Sequence, residues 1–283
     1  MLRSCLAIPL CLAVFGLAAA EDPTPKQLAQ EAMANGRRQA AEATEYTADF
    51  HYVWRTYSKA GKVELENVTT GETYQSSRRN VDIELTRNGQ AVKDKTIQKQ
   101  REAATRELQS DYEQRMKRDR ESKGKASPAS ASVVGPEYGT HLGNVRMDYY
   151  SILREFDLLH LRHETRGGRD TFVMDFEPRE GYKPVLKVLA HLPGIRGVIW
   201  IDAADRVVVE WHAVIAKGPN AGTIFYDQEF ERLPDGVWAG RRYRINLAAD
   251  PTLLGGQRLE WLGETSNRKR FGVQVEERVS DLR

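Results

Sequence analysis

Cysteine is almost missing from this sequence. Cys5 and Cys11 are the only two, and both precede residue 20. Beyond them the chain has no side chain for a disulfide, a thiol nucleophile or a thiolate metal site. Long apolar runs are scarce as well. The stretch Cys5 to Leu17 is interrupted by Pro9 and Gly16 and is short for a bilayer span. Charge of one sign is not in excess: 42 basic residues face 40 acidic ones, a formal net charge of +2. A general nucleic-acid footprint needs a clustered basic face, and that balance gives no hint of one, so no nucleic-acid partner is expected. Recognisable catalytic motifs are lacking too. There is no G-x-S-x-G, no H-E-x-x-H and no phosphate loop. His160, His163, His191 and His212 have no metal-ligand spacing. His160 and His163 lie three apart in a predicted strand, which sends them to opposite sides. The sequence therefore predicts no catalytic residue, no metal site and no cofactor.

The N-terminus predicts export. Met1-Leu2-Arg3 is a short positive start, the apolar stretch follows, and Ala18-Ala19-Ala20 supplies the small residues before a polar Glu21-Asp22-Pro23. This is the pattern of a secretory signal peptide over residues 1–20, cleaved after Ala20. The expected location is the periplasm, with no transmembrane segment in the mature chain. Pro9-Leu10 before Cys11 argues against lipidation there.

Along the chain, Thr24 to Glu45 reads as a helix capped by Thr24 with Pro25 in its first turn, and Asn35-Gly36 weakens its middle. Phe50, Tyr52 and Trp54 alternate with polar residues, the period of a strand. Val63 to Gln75 and Val81 to Thr86 continue a meander, and Asn88-Gly89 marks a hairpin. Residues 93–125 are almost wholly polar and charged. Ala104, Leu108, Tyr112 and Met116 form a thin stripe on this predicted helix, and Glu102–Arg106 and Glu113–Lys117 are spaced for ion pairs. Residues 124–137 are a Ser/Ala/Pro-rich flexible linker. Met147 to Phe156 is predicted helical, Leu158 to Glu164 and Asp170 to Glu177 form a hairpin, and Val185 to His191 a short helix. Gln257 to Glu264 and Val273 to Asp281 are predicted as a last pair of strands turning around Asn267.

Between these lies Gly197 to Leu247, four predicted strands joined by short turns. Counting all strands gives ten or eleven, nearly all joined as hairpins, hence antiparallel. The fold class expected is mainly β (α+β): an incomplete antiparallel β-barrel, or strongly curved sheet, with helices covering its open side. Several strands carry apolar residues at a two-residue period. Phe50, Tyr52, Trp54, Val198, Trp200, Val209, Trp211, Tyr226 and Phe230 are the candidate lining of an apolar cavity. The same residues could equally pack on each other, which periodicity does not decide.

Certain short runs, in order, resemble a known group of exported proteins. They are Asp175-Phe-Glu-Pro-Arg-Glu-Gly-Tyr-Lys-Pro184, Gly197-Val-Ile-Trp-Ile-Asp202 followed by a turn and Val207-Val-Val-Glu210, Leu233-Pro-Asp-Gly-Val-Trp238, and Val279-Ser-Asp281. The group is the outer-membrane lipoprotein-sorting-like proteins, related to the carriers LolA and LolB and to the regulator RseB. The resemblance runs over 139–283, is weak over 47–90 and leaves out the charged insertion at 93–125. It implies a single domain over 21–283 built as an incomplete barrel, whose partners are lipid acyl chains or lipoproteins. It equally implies the alternative of an RseB-like sensory or scaffold domain with an envelope protein partner. No polar functional residue of the carriers is carried over to a position in this chain.

Overall fold

The structure is a computed structural model. It describes residues 22–42, 46–75, 80–122, 139–142, 145–148, 153–154, 156–181, 194–215, 224–248 and 258–270. The expected signal peptide, the linker at 124–137, the helix at 185–191 and the strand at 273–281 lie outside them.

Helix α1 (Pro25–Glu42) is followed by β1 (Tyr46–Tyr57), β2 (Val63–Gln75), β3 (Asn80–Arg87) and the two-residue β4 (Gln90–Ala91). Helix α2 (Asp94–Ser122) comes next, then the short β5 (Gly139–Leu142) and β6 (Val145–Asp148). The remainder is β7 (Phe156–Arg166), β8 (Arg169–Pro178), β9 (Ile195–Asp202), β10 (Val208–Ile215), β11 (Ile224–Arg232), β12 (Trp238–Ala248) and β13 (Arg258–Arg270). Eleven strands form one sheet in the order β4-β3-β2-β1-β13-β12-β11-β10-β9-β8-β7, and β5 and β6 pair separately. Every described pairing is antiparallel. The sheet does not close: β4 and β7 are its two edges. Strands from before and after α2 share this one sheet, because β13 inserts between β12 and β1.

Two predicted elements take another form. Of the helix predicted over Met147 to Phe156, Leu153 and Arg154 are helical, whereas Met147 and Asp148 belong to β6 and Phe156 opens β7. An apolar spacing over ten residues is too short to nucleate a helix against a strand partner, here β5. The chain also does not turn at Asn267. Asn267 has φ +53°, and β13 runs through it with its pairing to β1 shifted between Thr47 and Asp49. A bulge absorbs the left-handed residue that reads as a turn in the sequence.

Helix α1 starts with a reciprocal cap. The Thr24 hydroxyl accepts from the Gln27 amide at 3.3 Å, and the Thr24 amide donates to Gln27 Oε1 at 2.9 Å. Leu28, Ala29 and Ala32 are its buried face. Asn35 does not end it, since the Asn35 side chain is used in tertiary bonds to the Asp205 and Arg206 carbonyls. Asp22 reaches His163 of β7, Glu31 and Asn35 reach the β9–β10 turn, and Gln39 accepts from the Trp238 amide of β12. Contacts thus move steadily across the sheet along the helix. A helix of 18 residues is about 27 Å long, close to the roughly 24 Å that separates β7 from β12 across the strands. So α1 lies across one face of β7–β12, the face called inner below.

Helix α2 rests on the other face. Ala104 and Leu108 bury against Ile83, with Ile97, Tyr74, Val81 and Leu85 around them. Ile83 pairs with Glu72, which faces away from α1's side. The expected surface ion pairs are replaced: Glu102 and Glu113 accept from Gln98 and Gln109, one turn earlier, instead of meeting Arg106 and Lys117. None of the described helices is long and apolar enough to cross a membrane.

Candidate functional site

Register assigns every strand residue to a face, and it divides the predicted cavity lining. On β1, Phe50, Tyr52 and Trp54 point inward. Their neighbours across β13 are Thr265, Gly263 and Trp261, and across β2 Gly71, Thr69 and Asn67. On β10 and β11, Trp211 pairs with Gln228 and Ala213 with Tyr226, which puts these on the inner face with Phe230. Val209 sits at the β10 irregularity and is buried. Val198 and Trp200 do not join them. Trp200 is paired with Glu210, and Val198 with His212, both on the outer face. Trp200 donates its indole N–H to Glu164 at 3.0 Å, under the Arg166 guanidinium 4.4 Å from its ring. The reason is parity. Strand β9 is apolar on both sides, Val198-Ile199-Trp200-Ile201, and it is Ile199 that pairs with Trp211.

The inner face itself has two regions. Over β7–β12 it is filled. Phe172, Met174, Phe176, Ile199, Trp211 and Tyr226 are each no more than 4% exposed and pack beneath α1. Trp211 stacks on Tyr226 with ring centroids 4.3 Å apart. Their indole N–H and phenol O–H both donate to Gln228 Oε1, so the buried polar atoms of the pair share one acceptor.

Over β12–β13–β1–β2–β3 the inner face is lined but open. Phe50 and Tyr52 stack at 4.4 Å, Tyr52 lies 6.3 Å from Tyr243, Tyr243 meets Trp261 edge-on at 5.6 Å, and Trp261 is 5.9 Å from Trp54. Burial declines along the inner side of β1. Tyr46, Ala48 and Phe50 are buried, Tyr52 is half-buried, and Trp54 is 36% exposed. Leu65 of β2, across from Thr56, is 49% exposed. Tyr52 and Tyr243 are surrounded by protein densely enough that burial pushes both phenols well above the ordinary tyrosine range. Yet both retain solvent-accessible surface. Curvature shows in glycine. Gly71 pairs with Phe50, and Gly263 lies between Tyr52 and Tyr243. A Cβ on Gly71 would stand 2.8 Å from the Phe50 ring, and one on Gly263 2.2 Å from the Tyr243 ring. Rings lying across bare backbone let neighbouring strands fold toward each other.

Tyr243 and Trp261 belong to this row but were not among the predicted residues. Trp261 alternates with Leu259 and Gly263, a signal available in the sequence. Tyr243 sits among Arg241, Arg242 and Arg244, which masks it.

The row is flanked by polar residues. Arg268 reaches Glu231 at 3.3 Å, Gln75 at 3.2 Å and Thr265 at 2.6 Å, and it also donates to the Gly240 carbonyl. Tyr46 donates to Asp235, and burial, followed by that bond, pushes the Tyr46 phenol up to about 12. The Asp202–Asp205 turn under α1 is a second polar cluster, and it is structural. Arg169 grips Asp202 at 2.5 and 2.9 Å, the amides of Ala204 and Asp205 donate to Asp202, and Asp205 collects Arg169, Arg232 and the Trp238 indole. The outer face carries ion pairs such as Arg55–Glu66, Arg55–Glu260 and Arg166–Glu210. Each contributes little stability, but together they keep that face wet. His160 pairs with Asp175, while His163 meets Phe172 on the other side of β7. Among the described residues no three His, Asp or Glu side chains come together as a metal site.

No family model and no curated protein matches the chain. Solved structures that it is similar to include a DUF1329 family protein from Desulfovibrio piger, at 12% identity and a TM-score of 0.36, covering 93% of this chain and 100% of that one. Another is a LolA superfamily protein from Nitrosomonas europaea, at 9% identity and a TM-score of 0.33, covering 90% and 97%. A third is the MucA/MucB complex of Pseudomonas aeruginosa, at 10% identity and a TM-score of 0.25, covering 90% and 97%.

Proposed function

We propose that this chain is an exported periplasmic protein that binds the acyl chains of lipids or lipoproteins in its concavity and serves their transport or sorting toward the outer membrane. The supporting observation is the row Phe50–Tyr52–Tyr243–Trp261–Trp54, enclosed by a curved sheet and open to solvent at one end. An alkyl chain laid on such a row exchanges water for ring surface, and each methylene buried contributes about 0.8 kcal/mol. Tight binding then needs no specific polar contact. Export rests on the N-terminal 20 residues, and a role in sorting on the motif resemblance.

The competing reading is a scaffold or sensor that binds an envelope protein, and the filled β7–β12 region favours it. Native mass spectrometry of protein taken from the periplasm, with titration of a fluorescent fatty acid, separates the two. The carrier reading expects co-purified lipid and saturable binding. It also expects about a tenfold loss of affinity when Trp54 and Trp261 are both changed to Ala, from the ring area removed. Absence of lipid together with absence of binding would overturn it.

A further inference from the structure

Three large apolar side chains stand exposed among the described residues, and all three lie in one place. Trp54 of β1 is 36% exposed, and Val63 and Leu65 of β2 are 51% and 49% exposed. They flank the β1–β2 hairpin, whose turn is tight. The Ser58 amide donates to the Lys62 carbonyl at 2.8 Å, and the Gly61 amide donates to the Ser58 carbonyl at 2.9 Å. This hairpin projects from the sheet. On one side β3 ends at Arg87, opposite Thr69, and the last bonds to that neighbour join Val68 and Asn88. The five residues from Val63 to Asn67 run on past β3, roughly 17 Å of strand whose described ladder partner is β1 alone. On the other side β13 begins at Arg258, opposite Tyr57, so the turn passes both neighbours.

The projection has its own charge pattern. Lys59 and Lys62 are exposed and have no acidic partner among the described residues. Glu66 is held by Arg55 at 2.5 Å, and Glu64 is engaged as well. Arg258 lies over the Tyr57 ring, 3.9 Å from its centroid. Two free ammonium groups therefore stand beside the exposed apolar side chains.

The size of the patch selects its partner. Half of a valine, half of a leucine and a third of an indole expose on the order of 250 Å². A stable protein interface takes about 800 Å² from each side, so a second copy of this chain is a poor match. A lipid surface accepts apolar groups of this size, with tryptophan at its interface and lysines among its anionic head groups. Continuity points the same way. Trp54 belongs to the patch and is also the exposed end of the ring row, 5.9 Å from Trp261. We infer that the β1–β2 hairpin docks this chain on a lipid bilayer. The hairpin rests in the head-group layer, with Trp54, Val63 and Leu65 toward the acyl chains and the stems of Lys59 and Lys62 reaching the phosphates. Docking stands on the exposed hairpin, while its use in passing an acyl chain from the bilayer to the ring row rests on the acyl-chain reading above.

The test takes the chain from the periplasm and adds mixed vesicles of phosphatidylethanolamine and phosphatidylglycerol. Beyond residue 20 the sequence has no cysteine, so Ala60→Cys and Ala103→Cys each carry a single environment-sensitive fluorophore. The first lies in the hairpin turn and the second on the exposed side of α2. The label at 60 is expected to shift to the blue on vesicle addition, and the label at 103 to stay unchanged. Val63→Ser combined with Leu65→Ser should weaken vesicle binding at least about tenfold, from the aliphatic area withdrawn. Lys59→Gln combined with Lys62→Gln should weaken it about tenfold on these vesicles and leave binding to pure phosphatidylcholine unchanged. Absence of vesicle binding, or binding that survives the serine pair, overturns the inference. A response at 103 in place of 60 overturns it too, and puts α2 on the membrane. A dimer of the wild type in sedimentation that the serine pair dissociates would assign the patch to a second copy instead. Vesicle docking without binding of a fluorescent fatty acid leaves the inference standing and overturns the acyl-chain reading. Fatty-acid binding without docking does the reverse.

Discussion

The inner face over β7–β12 and the inner face over β12–β3 are built from the same materials and end differently. Both are aromatic, both use inward glycines beneath rings, and both lie on one continuous sheet. In the first, α1 crosses the strands, and Trp211 and Tyr226 stack out of reach of water. In the second, the ring row ends at Trp54, 36% exposed, and the described charged helix α2 sits on the opposite side of the sheet. The difference is a helix and its placement. A sheet whose whole concave face is covered becomes a core. Among the described residues α1 crosses only β7–β12, and there the inner face is a core, whereas the ring row over β12–β3 keeps exposed surface at Trp54.

Trp211→Ala probes the filled region most severely. It removes a fully buried indole, strands Gln228 and leaves Tyr226 without its stacking partner, so a loss of about 3–5 kcal/mol is expected in urea unfolding. A loss under about 1 kcal/mol would mean that this region is loosely packed and that the two halves are alike.

Asp202→Ala is expected to cost less, about 2 kcal/mol, by removing the Arg169 bonds and the two amide bonds that shape the turn under α1. Burial pushes the Asp202 carboxyl up, but Arg169 and the Asp205 and Ala204 amides outweigh it, so the folded carboxyl lies below its ordinary value. Its contribution is therefore complete above the unfolded carboxylate range and is lost as pH falls through the lower folded value. Acid unfolding of the wild type should show this loss, and Asp202→Ala should lack it.

Much of this division was open to the sequence, and part was not. Strand identity is a local property. Phe50, Tyr52 and Trp54 alternate so cleanly that their common face follows from residue period alone, and the polar stretch 93–125 identifies itself as a helix. Which face of one strand matches which face of the next depends on turn length and bulges. Trp200 shows the consequence: with Ile199 and Ile201 beside it, β9 has no polar side to mark its outer face, and the pairing of Trp200 with Glu210 decides. Trp261 was missed although its strand was predicted over Gln257 to Glu264, because its same-face neighbours Leu259 and Gly263 add no second aromatic ring to mark a lining. Asp82 was passed over because an acidic residue in a strand reads as solvent-facing. Only the strand register, through Thr73 and Ala48, places it on the same face as the ring row.

Asp82 gives the smallest and most discriminating prediction, because it should respond to pH in the opposite sense to Asp202. Burial raises its folded carboxyl above the ordinary 3.8, so the folded state holds that proton more tightly than the unfolded chain does. As pH rises from 3.8 through the folded value, the folded state must release a proton it favours, and stability falls. At neutral pH the wild type carries this penalty, whereas Asp82→Asn does not. The variant should thus be modestly more stable than the wild type near pH 7, and the two should converge near pH 3, where the carboxyl is protonated in both states. Urea unfolding at the two pH values measures the difference directly, and Asp202, present in both proteins, cancels from it. If Asp82→Asn were instead the less stable protein at neutral pH, the carboxylate would be serving the fold through a partner of the protein's own, such as the Thr73 hydroxyl. The open region would then be a second, wetter core, and the contrast between the two halves would reduce to one of packing density.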